Sequence, residues 1–339
     1  MDFSIRPLRR DDPADVDASF DVGQEALRHD IPDFPPLSRI DYHRGLLHPW
    51  PGQEVHHWVA VDGADVVGTV MLELPVLDNL HMGYTDIQVR PAYRRRGVGS
   101  ALYRHAADFV RSVGRVSLKG EYVKALPGGP PREAGFAAFA SAMGAQAALD
   151  EVRRELDIAT VDRAMWTKHL EDARAYATGY RIVAWGNHTP EEYVDDVATL
   201  DGRLILDSPQ GDLDIEPDKV DRARIRAGEE TVRQRGRRNY NIGAVHEESG
   251  RLAAWTAVGF DPDETKHAWQ HITIVDPGHR GHRLGMLVKV ENLVQALDQE
   301  PALRLVTTWN AAENAHMIAI NEALGFRAVD AWVAWQQSL

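Results

Sequence analysis

Apolar and polar positions along this chain change their period repeatedly, and the changes come twice in the same order. Phe3 to Leu8 alternates as an opening strand should, and helical or irregular sequence follows to about Trp50. His57 to Val61 and Val66 to Leu74 are β-branched runs parted by Asp62 and Gly63, which predicts a hairpin. Tyr84 to Val89 reads as a strand halted by Pro91. Gly99 to Val113 then takes a helical period, with Leu102, Ala106, Phe109 and Val110 on one face. Arg115 to Leu118 reads as a short strand, Pro127 to Pro131 as a loop and Glu133 to Ala142 as a helix. Val152 to Ile158 closes this half as a strand or a helix.

After a connecting helix over residues 161–178 the order begins again. Tyr180 to Trp185 reads as a strand, Pro190 to Thr199 as a helix, Gly202 to Pro217 as a polar loop and Lys219 to Gln234 as a helix. A second hairpin joins Asn241 to His246 with Leu252 to Val258, and Trp269 to Val275 is a strand stopped by Pro277. Leu284 to Leu297, Leu303 to Thr308 and Asn314 to Leu324 follow as helix, strand and helix. Val89 and Val275, Pro91 and Pro277, Arg94 and Arg280, and Gly99 and Gly285 share one offset of 186 positions. A fixed internal period of this size marks a duplicated domain. The expected organisation is therefore a domain at 1–160, the connecting helix, and a second domain at 179–339.

Bulk properties narrow the function. With 339 residues and 44% hydrophobic content the chain can fill two cores. A net charge of -13 argues against a nucleic-acid surface and suits either a cationic substrate or simple solubility. Cysteine is absent, which excludes disulfides, thiolate zinc sites and a cysteine nucleophile. No run approaches a membrane span and the N-terminus lacks a signal-peptide pattern, so a soluble, cytoplasmic protein is expected.

The chemistry concentrates in the repeated turn. From Ile87 to Ala106 the sequence runs IQVRPAYRRRGVGSALYRHA, a strand feeding through Gly97 and Gly99 into a helix. Backbone N–H groups and the positive helix end converge there, which makes an anion site, and Arg94, Arg95 and Arg96 add charge for a phosphate-rich ligand. The Gly-Lys followed by Ser or Thr of a nucleotide-triphosphate loop is missing, as is the Gly-x-Gly-x-x-Gly of a dinucleotide fold. The alternative is a tight turn with surface arginines.

This segment resembles the pyrophosphate-binding motif of the GCN5-related N-acetyltransferase (GNAT) family, Gln/Arg-x-x-Gly-x-Gly/Ala, with Arg94, Gly97 and Gly99 in place. The second copy, IVDPGHRGHRLGMLVK from Ile274 to Lys289, resembles it too, with Arg280 and Gly285 in register and Arg283 where the first glycine belongs. Asn310, Asn314, Leu324, Gly325 and Phe326 are similar to the family's final helix, whereas the first half keeps only Met143-Gly144-Ala145 there. Paired family domains occur, and often only one member is catalytic.

The resemblance implies an α/β (α+β) fold: two tandem domains, each a twisted, mostly antiparallel mixed sheet with a splayed parallel strand pair, flanked by helices. It implies acetyl-CoA as co-substrate without a metal. Pantetheine would pair with the backbone of Ile87, Gln88 and Val89 or of Ile274 and Val275. Pyrophosphate would lie on Arg94, Arg95, Arg96, Gly97, Val98, Gly99 and Ser100, or on Arg280, Gly281, His282, Arg283, Leu284 and Gly285, with Asn310 and Asn314 supporting the second site.

Many relatives carry a tyrosine acid at the positions held here by Asn321 and Ala140, so the proton donor stays open. Base candidates sit on the strand before the turn: Asp86 in the first copy, and His267 and His271 beside Trp269 in the second, with His271 ranked first. Each has a structural alternative as a surface or strand-end residue. The acidic run Asp207, Asp212, Asp214, Glu216 and Asp218 reads as a solvated loop or as the entrance for a polyamine or aminoglycoside-like substrate. Trp332 and Trp335 read as a closing strand or as an aromatic substrate wall. The expected activity is acetyl transfer to a primary amine of a small molecule, an amino-bearing antibiotic or metabolite, by a monomer or homodimer away from membranes. Protein or peptide acetylation and a non-catalytic acyl-CoA sensor are the alternatives.

Overall fold

The computed structural model describes residues 2–339, which pack as two compact units. In chain order the elements are β1 (Ser4–Pro7), α1 (Pro13–Asp30), α2 (Arg39–Leu47), β2 (Gln53–Asp62), β3 (Asp65–Pro75), β4 (Met82–Val89), α3 (Val98–Ser112), β5 (Ser117–Ala125), α4 (Gly135–Ala142) and β6 (Gln146–Asp157). They continue with α5 (Arg163–Tyr176), β7 (Tyr180–Trp185), α6 (Val194–Asp201), α7 (Leu204–Asp207), α8 (Arg222–Arg235), β8 (Arg238–His246), β9 (Leu252–Phe260) and β10 (His267–Val275). The last four are α9 (Leu284–Gln299), β11 (Leu305–Ala311), α10 (Ala315–Ala323) and β12 (Arg327–Ser338). The first unit holds the chain up to Glu151 together with Gln210–Glu216 and Asp330–Leu339; the second holds Val152–Pro209 and Pro217–Val329.

In the N-terminal unit Asp12 caps α1 by accepting from the Ala14 N–H, and Pro13 opens the helix with its φ already set. Val16, Phe20 and Ala26 come to one buried face. The sheet runs β1-β2-β3-β4-β5-β12. All its pairs are antiparallel except β4 with β5, which are parallel and bonded only where Met82–Tyr84 faces Ser117–Lys119. Beyond Tyr84 the two strands part, while β3 stays paired to β4 as far as Val89. Strand β5 reaches Ala125 rather than stopping near Leu118 as its pattern predicts, because β12 supplies an antiparallel ladder along its other edge, from Ser117 to Ala125. Helix α3 covers the sheet with Leu102, Ala106 and Val110 in a core shared with Val70, Leu72, Leu74 and Trp335.

In the C-terminal unit β7 to β11 form the order β11-β10-β9-β8-β7. Here too the parallel pair is bonded over three residues only, His267–Trp269 with Leu305–Thr307. A β-bulge interrupts the β9–β10 ladder between Gln270 and Ile272, leaving His271 as the extra residue. Counting therefore changes across it: Met82 matches His267 at 185 positions, whereas Pro91 matches Pro277 at 186. Helix α9 packs Leu284, Leu287 and Val288 against β8 and β9 residues Ile242, Ala244 and Ala254. Among the described residues no helix is long and apolar enough to cross a membrane.

Candidate active site

Strand β4 runs through a 3-10 turn at Pro91–Tyr93 into two left-handed residues, Arg95 at φ 61° and Gly97 at φ 89°, before α3 begins. This double reversal points the helix N-terminus back at the end of β4. The first bond of α3 joins the Ala101 N–H to the Gly97 carbonyl at 3.0 Å, so the N–H groups of Val98, Gly99 and Ser100 have no acceptor within the helix. A Cβ on Gly97 would meet nothing within 4 Å, so the approach to these donors is open. A cavity of about 700 Å³ lies against the turn, lined by Ile87, Gln88, Val89, Arg94, Arg95, Gly97, Gly99 and Ser100 on one side and by α4 residues on the other.

The three arginines divide their work. Arg94 forks onto Asp30 of α1 at 2.6 and 2.7 Å and donates its Nε to the Val89 carbonyl at 3.1 Å. Its charge is largely matched at home, and it braces the turn against α1. Arg96 stands over the Tyr93 ring at 5.6 Å. Arg95 lines the cavity, where its charge is available to a phosphate.

A second cavity, about 500 Å³, shares Ile87, Gln88, Phe136 and Phe139 with the first and occupies the gap where β4 and β5 part. Asp86 from β4 and Glu121 from β5 line it from the two facing strands. The Asp86 carboxylate accepts from Gln88 Nε2 at 2.8 Å, yet the protein packed around it raises its pKa. Glu121 is pushed up to about 7, first by the same loss of solvent and then by the charges of Asp86 and Glu151. Tyr84, hydrogen-bonded to Glu121, is held well above its ordinary value, chiefly by burial. Hydroxyls of Ser19, Tyr42 and Thr69 form a chain along another wall, with Ser19 Oγ 2.8 Å from Tyr42 and 3.2 Å from Thr69. Phe20, Phe34, Trp332 and Trp335 give the remaining wall an apolar, aromatic character. Trp332 and Trp335 belong to the closing strand, and both line a cavity in the N-terminal unit.

The C-terminal turn keeps the backbone and changes the side chains. Gly281 at φ 89° and Arg283 at φ 53° are its left-handed pair, so the places of glycine and arginine are exchanged relative to Arg95 and Gly97. Arg283 lies 4.2 Å from the Tyr176 ring, Arg280 pairs with Asp207 at 3.2 Å, and His282 bonds the Tyr176 carbonyl at 3.2 Å. Leu284 is buried, and Gly285 packs against Val275 and Ile320, with Ile274 in the core beneath. Asn314 caps α10 through the Met317 N–H at 3.2 Å. Asn310 accepts from Asn321, which in turn accepts from the buried Lys289 Nζ at 2.6 Å. Lys289 is lowered to about 7 by that burial.

His271 lies over Gly259, where an added Cβ would come within 2.3 Å of its Nε2. Crowding and the Arg237 charge lower it to about 4, so it is neutral at physiological pH. His267 bonds Thr307 inside the core at 2.9 Å and is lowered to about 3 by burial. By strand register Tyr84 corresponds to Trp269 and Asp86 to Ile272, with His271 the residue that the bulge adds. Continuing the parallel register by two residues matches Glu121 to Trp309, whose indole stacks on that of Trp269 at 5.7 Å. Of the acidic run, Asp207 pairs with Arg203 at 3.0 Å, while 210–216 is pinned within the N-terminal unit, Gln336 bonding Asp212 and Asp214.

Comparison with solved structures joins this geometry to known proteins. A tandem GNAT protein from the clavulanic acid biosynthesis pathway is 35% identical, matches 99% of this chain and 98% of its own, and superposes with a TM-score of 0.86. The chain belongs to the GNAT acetyltransferase family. The family's own profile, Acetyltransferase (GNAT) family, matches residues 24–122. More distant members show the fold alone: a GCN5-related N-acetyltransferase from Sphaerobacter thermophilus at 13% identity, TM-score 0.65 and coverage of 99% and 95%; and a glucosamine N-acetyltransferase region of a fungal multi-domain GH3 beta-N-acetylglucosaminidase at 15%, TM-score 0.66 and coverage of 99% and 38%. No curated protein sequence matches the chain significantly. The protein is thus a GNAT-type acyltransferase with tandem domains and the mixed sheets that its sequence resemblance implies.

Sequence reasoning passed over Glu121, Tyr84 and Asp30. Ending the strand near Leu118 left Glu121 outside any element, and its place in phase with Lys119 gave no sign of a site. Asp30 carried no sign either.

Proposed function

We propose that this GNAT protein transfers an acetyl group from acetyl-CoA to the primary amine of a small molecule, and that the N-terminal unit is where it does so. The observation that carries the reading is the pair of cavities sharing Ile87, Gln88, Phe136 and Phe139: one opens on the bare N–H groups of α3, and the other ends at Asp86 and Glu121. The first suits pyrophosphate, held by Gly99 and Ser100 N–H groups with Arg95 charge. The parted strands leave the backbone of Ile87 to Val89 next to the route a pantetheine arm would follow. The second cavity, about 500 Å³, is sized for a small acceptor. The tandem relative belongs to a small-molecule biosynthesis pathway, which supports a small-molecule acceptor. The net charge of -13 supports an enzyme without nucleic-acid partners.

Calorimetric titration with acetyl-CoA tests the cradle. Gly97→Glu places a carboxylate among the phosphate donors and is expected to abolish binding in the N-terminal unit, whereas Gly97→Ala, with the same backbone strain and no charge, keeps most of it. Gly285→Glu reports on the C-terminal turn in the same way. Unchanged affinity in both glutamate variants overturns the assignment.

A further inference from the structure

The splay between β4 and β5 presents two carboxylates from opposite strands to one cavity, and this arrangement has a chemical meaning beyond acetyl transfer itself. We infer that Asp86 and Glu121 select an acceptor whose only charge is positive, an ammonium on an apolar or aromatic body, and that Glu121 takes the proton that frees its amine for attack. The inference rests on the reading of this cavity as the acceptor site.

Three features support it. Glu121 faces Asp86, Glu151 and Tyr84, and Asp86 faces Gln88; none of these is cationic, and Arg10 acts instead on Tyr42 and His57, which share the cavity. His57, also on the wall, is lowered to about 3 by burial and by Arg10, so it brings no positive charge at neutral pH. Two carboxylates without a cation between them are stabilised by a bound ammonium, whereas a substrate carboxylate would meet like charge. In the same cavity Phe34, Trp332 and Trp335 offer apolar faces for a flat or apolar body.

The proton balance closes with these groups. The ammonium gives one proton to Glu121, which near neutrality lies between its two states. The neutral nitrogen attacks the thioester carbonyl, the C–N bond forms and the C–S bond breaks. The second nitrogen proton ends on the CoA thiolate, and Glu121 returns its proton to solvent. Asp86, fixed by Gln88, keeps the ammonium in place and is expected to act on binding more than on turnover.

The test uses the full chain, acetyl-CoA and thiol release, with phenethylamine and phenylalanine as an acceptor pair differing by one carboxylate. Expected is a kcat/KM for phenethylamine about 100-fold above that for phenylalanine. Glu121→Gln is expected to cut kcat about 100-fold and to remove the fall in rate below pH 7, and Asp86→Asn to raise the amine KM roughly tenfold with a smaller change in kcat. Acetyl-CoA affinity, measured on the same samples, should hold in both variants, and a cooperative melt should show that both are folded. Equal use of phenylalanine, or full kcat in Glu121→Gln with its pH limb intact, overturns the inference while leaving acetyl transfer standing. Loss of acetyl-CoA binding or of all amine turnover in the unaltered protein removes the underlying reading as well.

Discussion

The two units reach the same backbone by different side chains, and the differences gather at the splay and the turn. On the N-terminal side the facing strands offer Tyr84, Asp86 and Glu121; on the C-terminal side the matching positions hold Trp269, Ile272 and Trp309, with His271 added by the bulge. One is an acidic opening, the other a stacked aromatic pair beside a neutral imidazole. The bulge that pushes His271 out of the β10 ladder has no counterpart in β4, whose pairing with β3 is uninterrupted. Tyr103, which lines the N-terminal cavity, corresponds to Lys289, which is buried on Asn321. The two units thus share what the chain path requires and differ in the side chains at the splay and the turn.

The sharpest way to break this comparison is to exchange residues where the strands begin to part. Gly120 and Thr308 are register equivalents, yet a Cβ at Gly120 would stand 2.7 Å from the Thr85 carbonyl and 2.5 Å from Trp335, whereas Thr308 fits and reaches the Gln270 carbonyl at 3.2 Å. Gly120→Thr is therefore expected to destabilise the N-terminal unit by about 3 kcal/mol in denaturant unfolding, since backbone and a packed indole must both move. A change below about 1 kcal/mol would mean that the two splays are alike after all.

A smaller effect tests the turns. Arg95→Gly and Arg283→Gly should each stabilise by roughly 1 kcal/mol, because each relieves a left-handed non-glycine residue. Similar gains in thermal melts would show that the turns carry equal strain. A gain at position 95 alone would show that stacking on Tyr176 offsets the strain at Arg283.

The gentlest probe is pH. Glu121 has a folded pKa raised to about 7 from about 4.5, so the folded state holds its proton longer, and this group's contribution to stability falls as pH rises from about 4.5 through 7. His271 is depressed to about 4 from about 6.5, so its contribution is full above pH 6.5 and is lost as pH falls toward 4. The stability of the native protein relative to Glu121→Gln should therefore decline with pH, and relative to His271→Gln it should rise. Parallel slopes would contradict the opposite environments assigned to the two splays.

The sequence carried the site unevenly. The turn was legible because its signals are short-range: a proline ends a strand, a glycine permits a left-handed residue, and a helix N-terminus follows. The fate of Arg94 was not, because its partner Asp30 lies 64 residues away on a helix whose pattern shows only an amphipathic face. Asp86 was found from its place before the turn, but its partner Glu121 was hidden by a strand end drawn too early. That end could not be read locally, since the ladder that extends β5 comes from β12 at the far terminus.

By itself, then, the sequence determined the duplication, read from its 186-position offset, the order of elements and the glycine turn into α3, read from local patterns, and with them the family. Tertiary structure decided which strands part, which arginine remains available, and that Trp332 and Trp335 wall a cavity in the N-terminal unit, with neighbouring Gln337 accepting the Tyr103 hydroxyl across 234 residues of chain. Those outcomes depend on packing between distant segments, and no local pattern of residues encodes which distant partner a side chain will meet.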